Sequence, residues 1–72
     1  MSYKPEFEVM GEAGVFYQNG QTFATREEAE QSAMSRFRNW AMAIGWRVAE
    51  VDSAEFPVNY RWDDELGDVM LE

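Results

Sequence analysis

Charged and apolar residues alternate along Glu6-Phe7-Glu8-Val9-Met10, the period of a half-buried strand with Phe7 and Val9 turned inward. Gly11 and Gly14 bracket a turn, and Val15-Phe16-Tyr17-Gln18 reads as a second strand. Asn19-Gly20 comes next, a pair favoured in type I′ turns because both central residues need positive φ. Gln21-Thr22-Phe23 is therefore expected as a short third strand that returns Phe23 to the core.

The pattern then changes period. Ala29, Ala33, Phe37, Trp40, Ala41 and Ile44 recur at spacings of three and four, one apolar stripe of a helix. Thr25 stands where a cap belongs, and Glu28 completes the capping-box spacing. Glu27, Glu28 and Glu30 sit near the start and Arg36 and Arg38 in the second half, each where the helix dipole favours its charge. Gly45 is expected to end the helix as a left-handed C′ residue.

Trp46 to Asp52 reads as a strand, and Val58-Asn59-Tyr60-Arg61-Trp62 after Pro57 as another, with Val58, Tyr60 and Trp62 on one face. Ser53 to Phe56 is expected to join them as a hairpin loop. Residues 63–72 open with Asp63-Asp64-Glu65, are interrupted by Gly67, and end as either an edge strand or an acidic tail. The order β-β-β-α-β-β predicts an α+β fold. It is a single domain over residues 1–72, with one helix packed on one face of a mostly antiparallel sheet.

Composition narrows what such a domain does. Fourteen Asp and Glu against six Lys and Arg give a net charge of −8 over 72 residues. That surplus disfavours DNA, RNA and anionic membranes as ligands, since those are bound through cations. It favours a basic protein surface instead. Three Trp, three Tyr and five Phe supply the large apolar groups that a chain this small needs inside. There is no Cys and no His, which removes disulfides, thiolate nucleophiles and the usual transition-metal ligands. No cofactor, metal or catalytic residue is expected, and the chain is expected to be cytoplasmic and not an enzyme.

Each reading of chemistry has a plainer one beside it. Paired carboxylates perform acid–base chemistry only in a cleft that shifts one pKa, and surface carboxylates that keep the protein soluble are the better account. A Ser–Lys nucleophile would have to recruit Lys4, the only lysine, near the start of the chain. Asp63, Asp64, Glu65 and Asp68 offer oxygens to calcium but lack the alternating loop of an EF-hand. Arg47 and Arg61 among aromatics suggest a single-strand platform, yet Glu50, Asp52 and Asp63 are ready cross-strand partners. Trp40 and Trp62 read as core, and Trp46 is open between core and interface anchor. The functional candidate is a patch: Glu50, Asp52, Glu55, Asp63, Asp64 and Glu65 all fall in the last two-strand unit and its exit. If that hairpin forms, the patch imitates the spaced charge of a nucleic-acid backbone.

The runs Phe23-Ala24-Thr25-Arg26-Glu27-Glu28-Ala29-Glu30, Trp46-Arg47-Val48 and Pro57-Val58-Asn59-Tyr60-Arg61-Trp62 carry a resemblance. Over Phe23 to Trp62 the chain is similar to short uncharacterised proteins encoded by bacteriophages and prophages. The acidic stretch after Trp62 and Ala54-Glu55-Phe56 before Pro57 depart from that pattern. The resemblance implies a phage context and a compact α+β fold, with no catalytic residues to carry over. Small acidic phage proteins include inhibitors of host defences, anti-CRISPR proteins among them, which gives the sharpest expectation by class analogy. The expected partner is a basic surface of a host nucleic-acid-handling protein, with the chain a monomer or small homo-oligomer. The alternative is a small structural or assembly module acting by protein–protein association.

Overall fold

A computed structural model describes all of residues 1–72. The order of elements is β1 (Ser2–Val9), β2 (Phe16–Gln18), α1 (Arg26–Arg38), β3 (Ala43–Val51), β4 (Tyr60–Asp63) and β5 (Gly67–Met70). β1 lies between β2 and β3 in one antiparallel sheet, and β4 and β5 form a second, two-stranded one. The expected α+β class is what the chain adopts, with α1 as its one helix.

β1 is longer than its alternation suggests and it is central, although it contains Pro5. Tyr3 exchanges backbone hydrogen bonds with Phe23 (2.9 and 2.8 Å), so the odd residues of β1 aim their backbone groups away from β3. Pro5 therefore forfeits nothing to β3, and β2, which pairs only with Glu6, Phe7 and Glu8, does not reach it.

The two faces of β1 differ. Phe7 is buried on the helix side, its ring centroid 5.7 Å from that of Trp40. α1 meets this face with Ala29, Ser32 and Ala33, all buried, and such small side chains let a helix lie close to a sheet. On the other face Ser2, Lys4 and Glu6 are buried, the first two under the chain after β3 and Glu6 between its neighbours on β3 and β2. Ser2 Oγ donates to the Phe56 carbonyl (2.7 Å), and Lys4 Nζ lies 5.0 Å from the centre of the Phe56 ring. Glu6 takes Arg47 Nε and Gln18 Nε2, each at 2.7 Å, from its direct partners on β3 and β2. The Arg47 guanidinium in turn stacks 3.8 Å above Phe16.

Five expectations are corrected. No residue other than glycine has positive φ, so Asn19-Gly20 is not a type I′ turn. Instead Asn19 Oδ1 accepts from Gln21 N (3.1 Å), and Gln21 to Phe23 form only the isolated bridge from Phe23 to Tyr3 rather than a strand. The helix ends at Arg38, before Trp40, Ala41 and Ile44. Asn39 caps it, its backbone N–H donating to the Arg36 carbonyl (3.1 Å) and its side chain to Ser35 O (2.8 Å), while Trp40 N donates to the Phe37 carbonyl (3.4 Å). Gly45 lies inside β3 opposite Glu8, not at a helix end, and an added Cβ would meet only the Glu8 side chain, at 3.4 Å. Finally, residues 46–52 do not pair with 58–62. β3 pairs with β1, and β4 pairs with β5.

Candidate binding surface

The β4–β5 hairpin carries half of the expected patch and is built locally. Asp63 pairs with Gly67 across a three-residue loop, and Gly67 has φ 78°, the left-handed position such loops use. Asp63 Oδ1 accepts from the backbone N–H groups of Glu65 (2.8 Å) and Leu66 (2.9 Å). Those two donors, with the Arg61 guanidinium 3.5 Å away, outweigh desolvation and hold the Asp63 carboxyl below its usual range. Asp64 accepts from the Trp62 indole N–H (3.1 Å). The Glu65 side chain is exposed and bonds nothing.

The other three acids lie at the end of β3 and in the turn after it. Glu50 accepts from the Tyr3 hydroxyl (3.1 Å). That bond, with partial burial and the Glu50 charge itself, raises the Tyr3 phenol above its ordinary value. Asp52 Oδ1 accepts from Ala54 N (2.9 Å) and closes the turn, while Glu55 is exposed with a free side chain. The six residues thus form two groups on separate sheets, not one hairpin patch, since the strand pairing that would have merged them is absent.

The start of α1 lies between the two groups. Glu28 Oε2 accepts from Trp62 N (3.0 Å), beside Asp63 and Asp64. The charge of Glu27 acts on the same Tyr3 phenol that Glu50 holds, with the Arg26 guanidinium 5.2 Å from the ring centre. Glu27 and Glu28, whose spacing points only to the helix dipole and the capping box, thus stand next to one acidic group each. Of the fourteen carboxylates, Glu6, Asp63 and Asp68 have an arginine within 4.0 Å; the others have no cation that near.

Arg61 does meet Asp63, whereas Arg47 meets Glu6, a partner the local pattern did not suggest. Burial pushes the Glu6 carboxyl up, but the bonds from Arg47 and Gln18 and the charges of Arg47 and Lys4 prevail and hold it below the usual value. Lys4 is buried on the sheet, not loose near a terminus, with Nζ 3.5 Å from Thr22 Oγ1. No cavity opens at that pair.

The cavity of the molecule, about 630 Å³, lies on the helix side, between α1, the β1–β2 edge and the β4–β5 hairpin. Phe7, Tyr17, Trp40 and Trp62 give it aromatic walls, and Ser35, Arg36, Asn39 and Asp68 polar ones. Trp40 and Trp62, expected in the core, are half-buried along its sides. Compared with known protein families, curated proteins and solved structures, the chain matches none. No helix is long and apolar enough to cross a membrane.

Proposed function

We propose that this chain is a non-enzymatic, phage-type inhibitor acting in the host cytoplasm. It docks on the basic surface of a nucleic-acid-handling host protein through the acids of the α1 start, the β3 end and the β4–β5 loop. An anti-defence protein of anti-CRISPR kind is the sharpest form of this reading. The observation that carries it is the unpaired surplus: most of the carboxylates face no cation of the chain's own, and Glu55 and Glu65 are exposed and unbonded. Such charge steers association toward a cationic groove and makes it sensitive to salt. The test is capture of host proteins by the wild type and by the double variant Glu55→Lys/Glu65→Lys, which removes no internal bond. Recovery of a basic, nucleic-acid-binding protein that weakens with salt and in the variant supports the reading. Equal recovery by the variant, or none of that class, overturns it.

A second reading, an assembly module, draws on β3. This strand spans nine residues, sits at a sheet edge and has no partner on its outer side. Met42, just before it, and Ile44, near its start, are about half exposed, and an open edge is a template for another strand. Light scattering separates the readings: a salt-insensitive oligomer favours assembly, a monomer favours docking.

A further inference from the structure

We propose that the cavity between α1, β1–β2 and β4–β5 is a binding site for a neutral saccharide, a pyranoside ring held between Trp40 and Trp62. This does not rest on the acidic-surface reading.

The cavity's size comes first. At about 630 Å³ this half-open space falls within the range of small-ligand sites. Its aromatic walls are kept apart. Phe7 with Trp40 and Phe23 with Tyr60 are the ring pairs in contact, so Tyr17, Trp40 and Trp62 do not stack on one another. The space between them is the cavity. A small domain that leaves tryptophan faces uncovered gives up burial worth about 25 cal/mol per Å², and a ligand with an apolar face restores it.

Charge then selects the ligand. Arg36 reaches Asp68 Oδ2 at 3.4 Å, so the two charges of the cavity wall oppose each other within the site. A net charge of −8 repels anions from the mouth, and Asp68, the carboxylate of the wall, already holds Arg36 and leaves a cation no free partner there. A neutral guest suits these walls. Eight of the thirteen lining residues are not hydrophobic, which argues against a purely apolar guest.

Hydrogen bonding adds the decisive detail. Asp68 Oδ2 takes Gln21 Nε2 (2.9 Å) and Arg36, but Asp68 Oδ1 is enclosed and no protein group bonds it. A buried acceptor left unmade costs about 1–3 kcal/mol, so a donor belongs there. The Trp40 indole N–H and the Ser35 hydroxyl, also on the wall, make no bond within the protein, so donors and acceptors stand ready together. Adjacent hydroxyls on a ring, each able to donate and accept, match that mixture, and the ring's C–H face suits a tryptophan. Oδ1 has no open surface as the hairpin stands, so the hydroxyl reaches it only by displacing the hairpin, a small unit tied to α1 by Glu28 and Arg36 and to the segment before it by Gln21.

The indole N–H resonances of the full chain provide the test, with Trp46, which does not line the cavity, as an internal control. Methyl glycosides of glucose, galactose, mannose and N-acetylglucosamine are titrated to about 50 mM, which reveals millimolar binding. The expected result is saturable shifts at Trp40 and Trp62, with Trp46 still, for at least one glycoside. Asp68→Asn should weaken that binding about tenfold or more. Ser35→Trp, which fills the cavity from α1 without removing a side-chain bond, should abolish it while the rest of the spectrum keeps its dispersion. The proposal is overturned if none of the four shifts Trp40 and Trp62 saturably, if Trp46 moves equally, if Ser35→Trp binds as well, or if adenosine alone binds.

Discussion

The helix-backed sheet and the β4–β5 hairpin are held by different means. In the first, β1 pairs with β3 along its whole length and buries Phe7 under α1. The second has four-residue strands and attaches mainly through polar bonds. Asn59 and Tyr60 N–H groups meet the Thr22 carbonyl, Asn59 Oδ1 takes Thr22 N, Glu28 takes Trp62 N, and Asp68 takes Gln21 and Arg36. Apolar burial is non-directional and tolerates adjustment, whereas a bond network fails when one member leaves. The sheet should therefore report global stability and the hairpin local opening.

The largest effect is expected inside the sheet. Phe7→Ala removes a fully buried ring and should cost about 3–5 kcal/mol, most of the stability of so small a domain; loss of the cooperative thermal transition is the measurement. Asn59→Ala removes the acceptor of Thr22 N and the donor to Gly20 O. It should cost about 1–3 kcal/mol, with faster amide exchange in β4 and β5 before β1. Equal exchange across both units would erase the distinction between them. Thr25→Ala deletes the cap that holds Glu28 N (3.2 Å) and should cost about 1 kcal/mol in denaturant melts.

Acid provides a finer probe. The Glu6 carboxyl titrates lower in the folded chain than in the unfolded one. Its contribution is thus present above the unfolded value of about 4.3 and is lost as pH falls through the folded value. The stability gap between wild type and Glu6→Gln should shrink from about pH 6 to about pH 3; a gap that does not change with pH would contradict this. The smallest effect is expected for Gly45→Ala. Its Cβ meets only the Glu8 side chain, at 3.4 Å, and a cost of a few tenths of a kcal/mol is expected by melting.

The start of the helix was legible because its signals are local: Thr25 and Glu28 act three residues apart. Its end was misread because Trp40, Ala41 and Ile44 continue the spacing by chance, while Asn39, which competes for the backbone, carried the true stop. The β4–β5 hairpin was also written locally, in Asp63 and Gly67 around a three-residue loop, but Gly67 was read as an interruption. The acidic positions could be named from sequence. Their separation into two groups could not, because it follows from β3 choosing β1, a pairing between distant residues that no local pattern encodes. The cavity is hidden for the same reason, since Arg36, Asp68 and Gln21 meet only after the hairpin docks.

The position of β1 has a consequence for biosynthesis. Ser2 finds its partner only when Val51 is available, so β1 waits for a strand that is made only after the helix. Closing so wide a loop is entropically costly and slow compared with forming α1 in place. A nascent chain stalled before β3 has emerged should carry a helix and a β1 protected only where β2 pairs with it, and resumed synthesis should convert it abruptly to the finished form.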